Sequence, residues 1–163
     1  MYTIIGSGFG LYGYLPAIIE GLGGEVVLPN RYYEFICSRS ELAEYKEKVK
    51  WVANQEASIR KSHTVIIAVP PMNQKLIIKK CLEVKTIESI FLEKPLAPSP
   101  LESTKVLNFL YASEIDYAIN YTFIYIGLLQ KQFLSVALQG VFSLKWDFMA
   151  HHYINNVDTW KRE

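Results

Sequence analysis

A chain of 163 residues, half of them hydrophobic and a fifth charged, is long enough to bury one good core and has an ordinary globular composition. Its formal net charge of +1 gives no electrostatic basis for binding nucleic acid or an anionic membrane, and the basic pair Lys79-Lys80 reads as a solvated helix face. Cys37 and Cys81 have no CxxC spacing and no ligand cluster around them, so they are expected to be reduced and structural, and no metal site is expected.

The first stretch, Tyr2 to Leu22, is apolar but lacks a basic leader and carries Gly6, Gly8, Gly10, Gly13 and Pro16. That pattern fits a buried strand followed by a glycine turn better than a signal or membrane segment, so a soluble, cytoplasmic protein is expected. Tyr2 to Ile5 is the first strand, and a helix runs from Leu11 to about Leu22, where Gly23-Gly24 stops it. Glu25 to Leu28 is a second strand. Helical periodicity then covers Arg31 to roughly Lys46, with a break near Ser38-Arg39-Ser40, and Val49 to Val52 is a short strand.

Thr64 to Val69 is continuous and apolar, which predicts a central strand buried on both faces and stopped by Pro70-Pro71. Asn73 to Glu83 has helical spacing, and Glu88 to Leu92 is another strand. Ser99-Pro100-Leu101-Glu102 opens a helix with a serine cap, a proline at the first position and a glutamate three residues after the cap. That helix runs to about Ala112, and Asp116 to Asn120 is the sixth strand. Strands alternating with helices predict an α/β protein: a doubly wound parallel sheet with helices on both faces. Beyond Tyr121 the character changes. Phe123 to Leu138 is helix-like, Gly140 to Met149 alternates as a strand, and His151 to Glu163 adds no closing element. The domain boundary is therefore placed at Asn120, with 121–163 as a separate segment.

Between the first strand and helix stands Gly6-Ser7-Gly8-Phe9-Gly10-Leu11. This is where a Rossmann-type domain grips the pyrophosphate of NAD or NADP. Gly6 permits the tight turn, Gly8 lets the backbone approach the ligand, and the amides around Ser7 to Leu11 point donors at it. The last glycine of GxGxxG is replaced by Leu11, with Gly10 and Gly13 flanking it. About 20 residues on, where a carboxylate usually meets the adenosine ribose, stands Pro29-Asn30-Arg31. Asn30 suits a ribose hydroxyl and Arg31 a 2′-phosphate, which tilts the cofactor slightly toward NADP.

The glycine loop, the strand ending in Pro-Pro and the run Phe91-Leu92-Glu93-Lys94-Pro95-Leu96-Ala97 form an ordered set that resembles the Gfo/Idh/MocA family of oxidoreductases. Gly8-Phe9-Gly10 with Leu15-Pro16-Ala17 is similar to one branch of it. The resemblance implies that Lys94 is the catalytic residue, contacting substrate hydroxyls and assisting proton transfer, with Glu93 fixing local geometry. It also implies that Ala68, Pro70, Pro71 and Gln74 line the cofactor together with Glu93 and Lys94. Gln74 stands where the family usually has a histidine, and Ile124 where it has an arginine. Family members continue into a second domain with a glycine-rich segment, an aspartate and a proton-transferring histidine, which implies that 121–163 is a short, truncated piece of an α+β second domain. Neither His63 nor His151-His152 matches that motif.

The leading expectation is an NAD(P)-dependent oxidoreductase acting on a sugar or polyol derivative, with most of its substrate domain missing. The alternatives are a non-catalytic dinucleotide-binding module or accessory subunit, and an interaction protein that has lost its cofactor. Apolar side chains between Tyr121 and Met149 also predict a homo-oligomer through residues 121–150.

Overall fold

Six short strands, β1 (Tyr2–Ile5), β2 (Val26–Pro29), β3 (Val49–Val52), β4 (Thr64–Ile67), β5 (Ser89–Glu93) and β6 (Asp116–Asn120), lie side by side in the computed structural model, which describes residues 1–121. Every pairing is parallel, and the strand order is β3-β2-β1-β4-β5-β6. The chain moves outward from β1 to β3, then returns to the centre and moves outward again from β4. Its direction of travel therefore reverses between β1 and β4. In open α/β sheets, ligands bind at the carboxyl ends of the strands at such a reversal.

Neighbouring strand residues point to opposite faces, and both faces here are buried. Ile4 and Ile66 join Leu11, Leu15, Val26, Leu28 and Ile36 in one core. Ile5, Val65 and Ile67 join Ile77, Ile78, Leu92 and Val106 in the other. This is why β4 reads as an unbroken apolar run rather than an alternating one. Fully burying a side chain such as Ile67 contributes about 1.5–3 kcal/mol, an upper figure because the unfolded chain is itself partly compact.

Helices fill the crossovers. Residues 10–21 form a helix wound wide, in π turns at Gly10–Tyr14 and Ala17–Gly21. It ends where Gly23 turns to φ +60° and the Gly24 amide donates back to the Ile18 carbonyl at 2.9 Å. The helix expected over Arg31 to Lys46 is broken into a 3₁₀ turn at Asn30–Tyr32, α1 (Tyr33–Cys37) and a second 3₁₀ turn at Ala43–Glu47, with the gap at the anticipated serines. One helix escaped the sequence reading: α2 (Gln55–Arg60), which is capped by Asn54 Oδ1 accepting from the Ala57 amide at 2.9 Å. The remaining two are α3 (Pro71–Leu82) and α4 (Pro100–Ala112).

The expected domain over 121–163 lies, apart from Tyr121, outside the described residues. So do Ile124, His151, His152 and the surface on which the homo-oligomer was expected.

At the start of α4 the predicted cap is formed, with Ser99 Oγ accepting from the Glu102 amide at 3.2 Å and Pro100 at the first helical position. Ser99→Ala is expected to lower stability by about 1 kcal/mol, read as a lower urea midpoint with an unchanged slope.

Candidate functional site

Where β1 meets the carboxyl end of β4, the backbone turns sharply. Gly6 adopts φ +129°, and a Cβ placed on it would lie 2.0 Å from the Ala68 carbonyl oxygen. The Ala68 amide in turn donates to the Ile5 carbonyl at 2.8 Å. Gly10 is close-packed for a different reason: its Cβ would meet Ile4 Cγ2 at 3.0 Å and Ala68 Cβ at 3.2 Å. Between them, Gly8 has nothing within 4 Å. The loop thus has one glycine for the turn, one facing open space and one for close packing of helix on sheet. That last role is met one residue before the usual place, so Leu11 is free to carry a side chain, and it is fully buried in the core.

The donors of the loop are fewer than the sequence suggests. The Leu11 and Tyr12 amides both donate to the Gly8 carbonyl, at 3.0 and 3.2 Å, and begin the helix. Leu11 therefore offers a ligand neither its side chain nor a free amide. Gly6 donates its amide to the Tyr32 hydroxyl at 2.9 Å. The Ser7, Gly8 and Phe9 amides find no acceptor among the described residues. Phe9 is exposed, packs over Gly13, and meets the Tyr14 ring edge-on at 5.2 Å.

A second wall forms at the end of β5. Gln74, fully buried on α3, was expected at the cofactor. Its Nε2 donates to the carbonyls of Glu93 and Pro95, at 2.9 and 3.0 Å. It clamps both ends of the Glu93-Lys94-Pro95 turn, whose Lys94–Pro95 peptide is cis. Its Oε1 is buried without a partner. The Glu93 carboxylate is held as firmly. Tyr14 donates its hydroxyl to Oε1, and Asn120 Nδ2 donates to the same oxygen at 2.8 Å and to the Tyr14 hydroxyl at 2.7 Å. Burial, and then the neighbouring carboxylate, push the Tyr14 phenol above its ordinary value. With the turn fixed on both sides, Lys94 projects its exposed side chain from the carboxyl end of β5.

The third wall lies after β2. Asn30 and Arg31 are exposed. Arg31 Nη2 donates to the Tyr32 hydroxyl at 2.9 Å and to Gln55 Oε1 at 2.6 Å, with the guanidinium 4.8 Å from the Tyr32 ring centre. Ala68, Pro70 and Pro71 continue the chain from β4 into α3, with Pro70 exposed and Pro71 buried. Four residues of these walls are not among the site residues expected from sequence: Tyr14, Tyr32, Gln55 and Asn120. A signal existed for Asn120, which sits opposite Glu93 in the β5–β6 register.

Residues 2–120, well over half of the chain, match the family described as oxidoreductase family, NAD-binding Rossmann fold. The chain belongs to the Gfo/Idh/MocA family. Among solved structures, it is similar to KijD10, a 3-ketoreductase from Actinomadura kijaniata solved with NADP and TDP-benzene, at 15% identity and a TM-score of 0.64 over 80% of this chain and 40% of that one. It is also similar to the WlbA dehydrogenase of Chromobacterium violaceum, solved with NADH and UDP-GlcNAcA, at 12% identity and a TM-score of 0.63 over 80% and 37%. The super-repressor mutant of Gal80p from Saccharomyces cerevisiae matches at 15% identity and a TM-score of 0.54 over 73% and 33%. At these identities the likeness is one of fold. This Gfo/Idh/MocA chain spans about two fifths of the length of the solved proteins it matches. Among curated proteins none matches its sequence. No helix among the described residues is long and apolar enough to cross a membrane.

Two outcomes follow from this geometry. Gly6→Ala is expected to lower stability by about 3 kcal/mol or more, through strain and collision with the Ala68 carbonyl, whereas Gly8→Ala stays within about 0.5 kcal/mol of the parent. Chemical denaturation of the two variants checks the contrast. For Tyr14, a raised phenol means that the folded chain keeps a proton which the unfolded chain releases near pH 10. The associated stability is present below about pH 10 and is lost as the pH climbs toward the folded value. Tyr14→Phe should flatten that alkaline fall. Part of it remains in the variant, because the Tyr45 phenol is itself pushed up to about 12 by its hydrogen bond to Glu20. Unfolding midpoints at about pH 9 and pH 11 give the comparison.

Proposed function

We propose that this chain holds NAD or NADP by its pyrophosphate over Gly6 to Gly10 and serves as the cofactor half of an oxidoreductase acting on a sugar or polyol derivative. The observation that carries the proposal is the division of labour among the glycines. Gly6 and Gly10 are fixed by contact, while Gly8 faces open space beside the unpartnered amides of Ser7 and Phe9. A loop needed only for packing has no use for that opening. The two oxidoreductase neighbours solved with NADP and NADH support the same reading.

Bound NAD(P) supplies the hydride acceptor or donor. The chain's own task is then to orient the partners and move a proton. Lys94 is proposed as the catalytic residue, exchanging the proton of a substrate hydroxyl at its Nζ. Gln74 and the Tyr14–Glu93–Asn120 group hold the turn that presents it, so Gln74 acts here as a positioning residue. Asn30 and Arg31 are proposed for the adenosine end, where a guanidinium suits a 2′-phosphate and tilts the choice slightly toward NADP. Ala68 and Pro70 border the same crevice, and Pro71 anchors its edge from the core. Assembly of copies through residues 121–150 and a cytoplasmic location complete the proposal.

Quenching or enhancement of NADH and NADPH fluorescence on titration tests the binding step. The parent chain should bind, and Gly8→Val should lose at least about tenfold in affinity with an unchanged melting temperature, because a side chain there displaces only the ligand. Reduction of NAD(P) is then screened with inositol and sugars, with Lys94→Ala expected to lower turnover by about 10²–10⁴. Binding without turnover on any substrate identifies a non-catalytic dinucleotide module. No binding of either dinucleotide overturns the proposal.

A further inference from the structure

A tyrosine hydroxyl has one proton to donate and lone pairs with which to accept. The Tyr32 oxygen already accepts twice, from the Gly6 amide and from Arg31 Nη2, each at 2.9 Å. Both donors are fixed elsewhere. Gly6 is held by its turn against Ala68, and Arg31 by Gln55 at 2.6 Å. The ring itself is only 6% exposed and belongs to the core. The hydroxyl proton donates to no described residue, so it is turned away from both partners.

The groups around it share one character. Arg31 keeps further N–H donors, and the loop that Tyr32 touches at Gly6 continues into the unpartnered amides of Ser7, Gly8 and Phe9. Gln55 Oε1 accepts from Arg31 and not from the Tyr32 hydroxyl. A hydroxyl proton without a partner, set beside these donors, suits a ligand atom that only accepts, and a phosphoryl oxygen is such an atom. The guanidinium beside the hydroxyl also polarises its O–H bond, strengthening it as a donor to an anion.

We infer that Tyr32 is a phosphate-binding residue of this site, its hydroxyl donating to a phosphoryl oxygen of the dinucleotide while Arg31 and Gly6 hold that hydroxyl in place. This rests on the dinucleotide reading above and adds to it a residue outside the glycine loop. The phosphoryl group is either the pyrophosphate common to both cofactors or the 2′-phosphate of NADP.

The test compares the parent chain with Tyr32→Phe, using NADH and NADPH in fluorescence titrations and ³¹P spectra of the saturated complexes. The variant should lose roughly tenfold or more in affinity, and the resonance of the contacted phosphorus should move. Equal losses on the two cofactors, with a moved pyrophosphate signal, identify the shared group. A loss confined to NADPH, with a moved 2′ signal, identifies the extra phosphate. Unchanged affinity overturns the inference, as does weaker binding with every phosphorus resonance in place, the mark of a residue that only braces the loop. Should Tyr32→Phe fold poorly, Gln55→Ala, which frees Arg31 and leaves the phenol intact, is expected to displace one phosphorus resonance from its parental position, and a spectrum identical to the parent's overturns the inference. If the parent chain binds neither dinucleotide, the cofactor reading itself has failed, a result distinct from parental binding that the variant retains.

Discussion

Gly6 passes so close to the Ala68 carbonyl that no side chain fits between them, and it does so in a backbone conformation open to glycine. The contact joins the carboxyl ends of β1 and β4, the two strands between which the sheet reverses. It brings the loop over the sheet, allows the following helix to start flush against Ile4 and Ala68 through Gly10, and leaves Gly8 facing outward. Tyr32 then reaches across from the end of β2 to bind the same residue's amide. The position of every donor in the loop descends from that one close passage.

The other wall depends on hydrogen bonds rather than on crowding. Gln74 holds the backbone of the Glu93-Lys94-Pro95 turn, and Tyr14 and Asn120 hold the Glu93 side chain. Three elements, the helix after the glycine loop, α3 and β6, therefore converge on Glu93 at the end of β5 and on the turn that follows it. Charge-assisted hydrogen bonds to the carboxylate are stronger than neutral ones, and a partly buried setting strengthens them further. A lysine on a turn so fixed has its base located even though its side chain stays solvated. Aromatic edges continue the connection, from Phe9 on the loop through Tyr14 to Phe91 on β5.

Local chemistry was the legible part of the sequence. The unbroken apolar run at β4, the Ser99-Pro100-Glu102 start of α4 and the Gly23-Gly24 stop all act within a few residues, and the fold uses each. The glycine loop was legible as a place, because a strand precedes it and a helix follows. Its details were not: that Leu11 is core and its amide engaged depends on where Ile4 and the Gly8 carbonyl lie in space. Gln74 illustrates the limit. Its position in a familiar pattern suggests a cofactor contact, but its hold on the turn, through partners 19 and 21 residues away, leaves no mark in the local sequence. Tyr14 meets Glu93 across 79 residues of sequence and Asn120 across 106, so no local pattern could single it out. Helix α2 was missed because six residues carry too little periodicity, although Asn54 marks its start.

The helix after the loop is wound wide, and it tolerates Leu11 because Gly10 has taken over the close approach to the sheet. A pattern search that counts residues and demands glycine in the sixth place of the hexapeptide would discard this chain, although the atomic contact which that glycine encodes is present. Fingerprints of this kind are shorthand for a distance between two surfaces. Extra residues in each turn can shift which letter meets that distance while the surfaces stay together. Relatives with similarly displaced glycines would be found by asking which residue lies under the strand rather than which one occupies a fixed column.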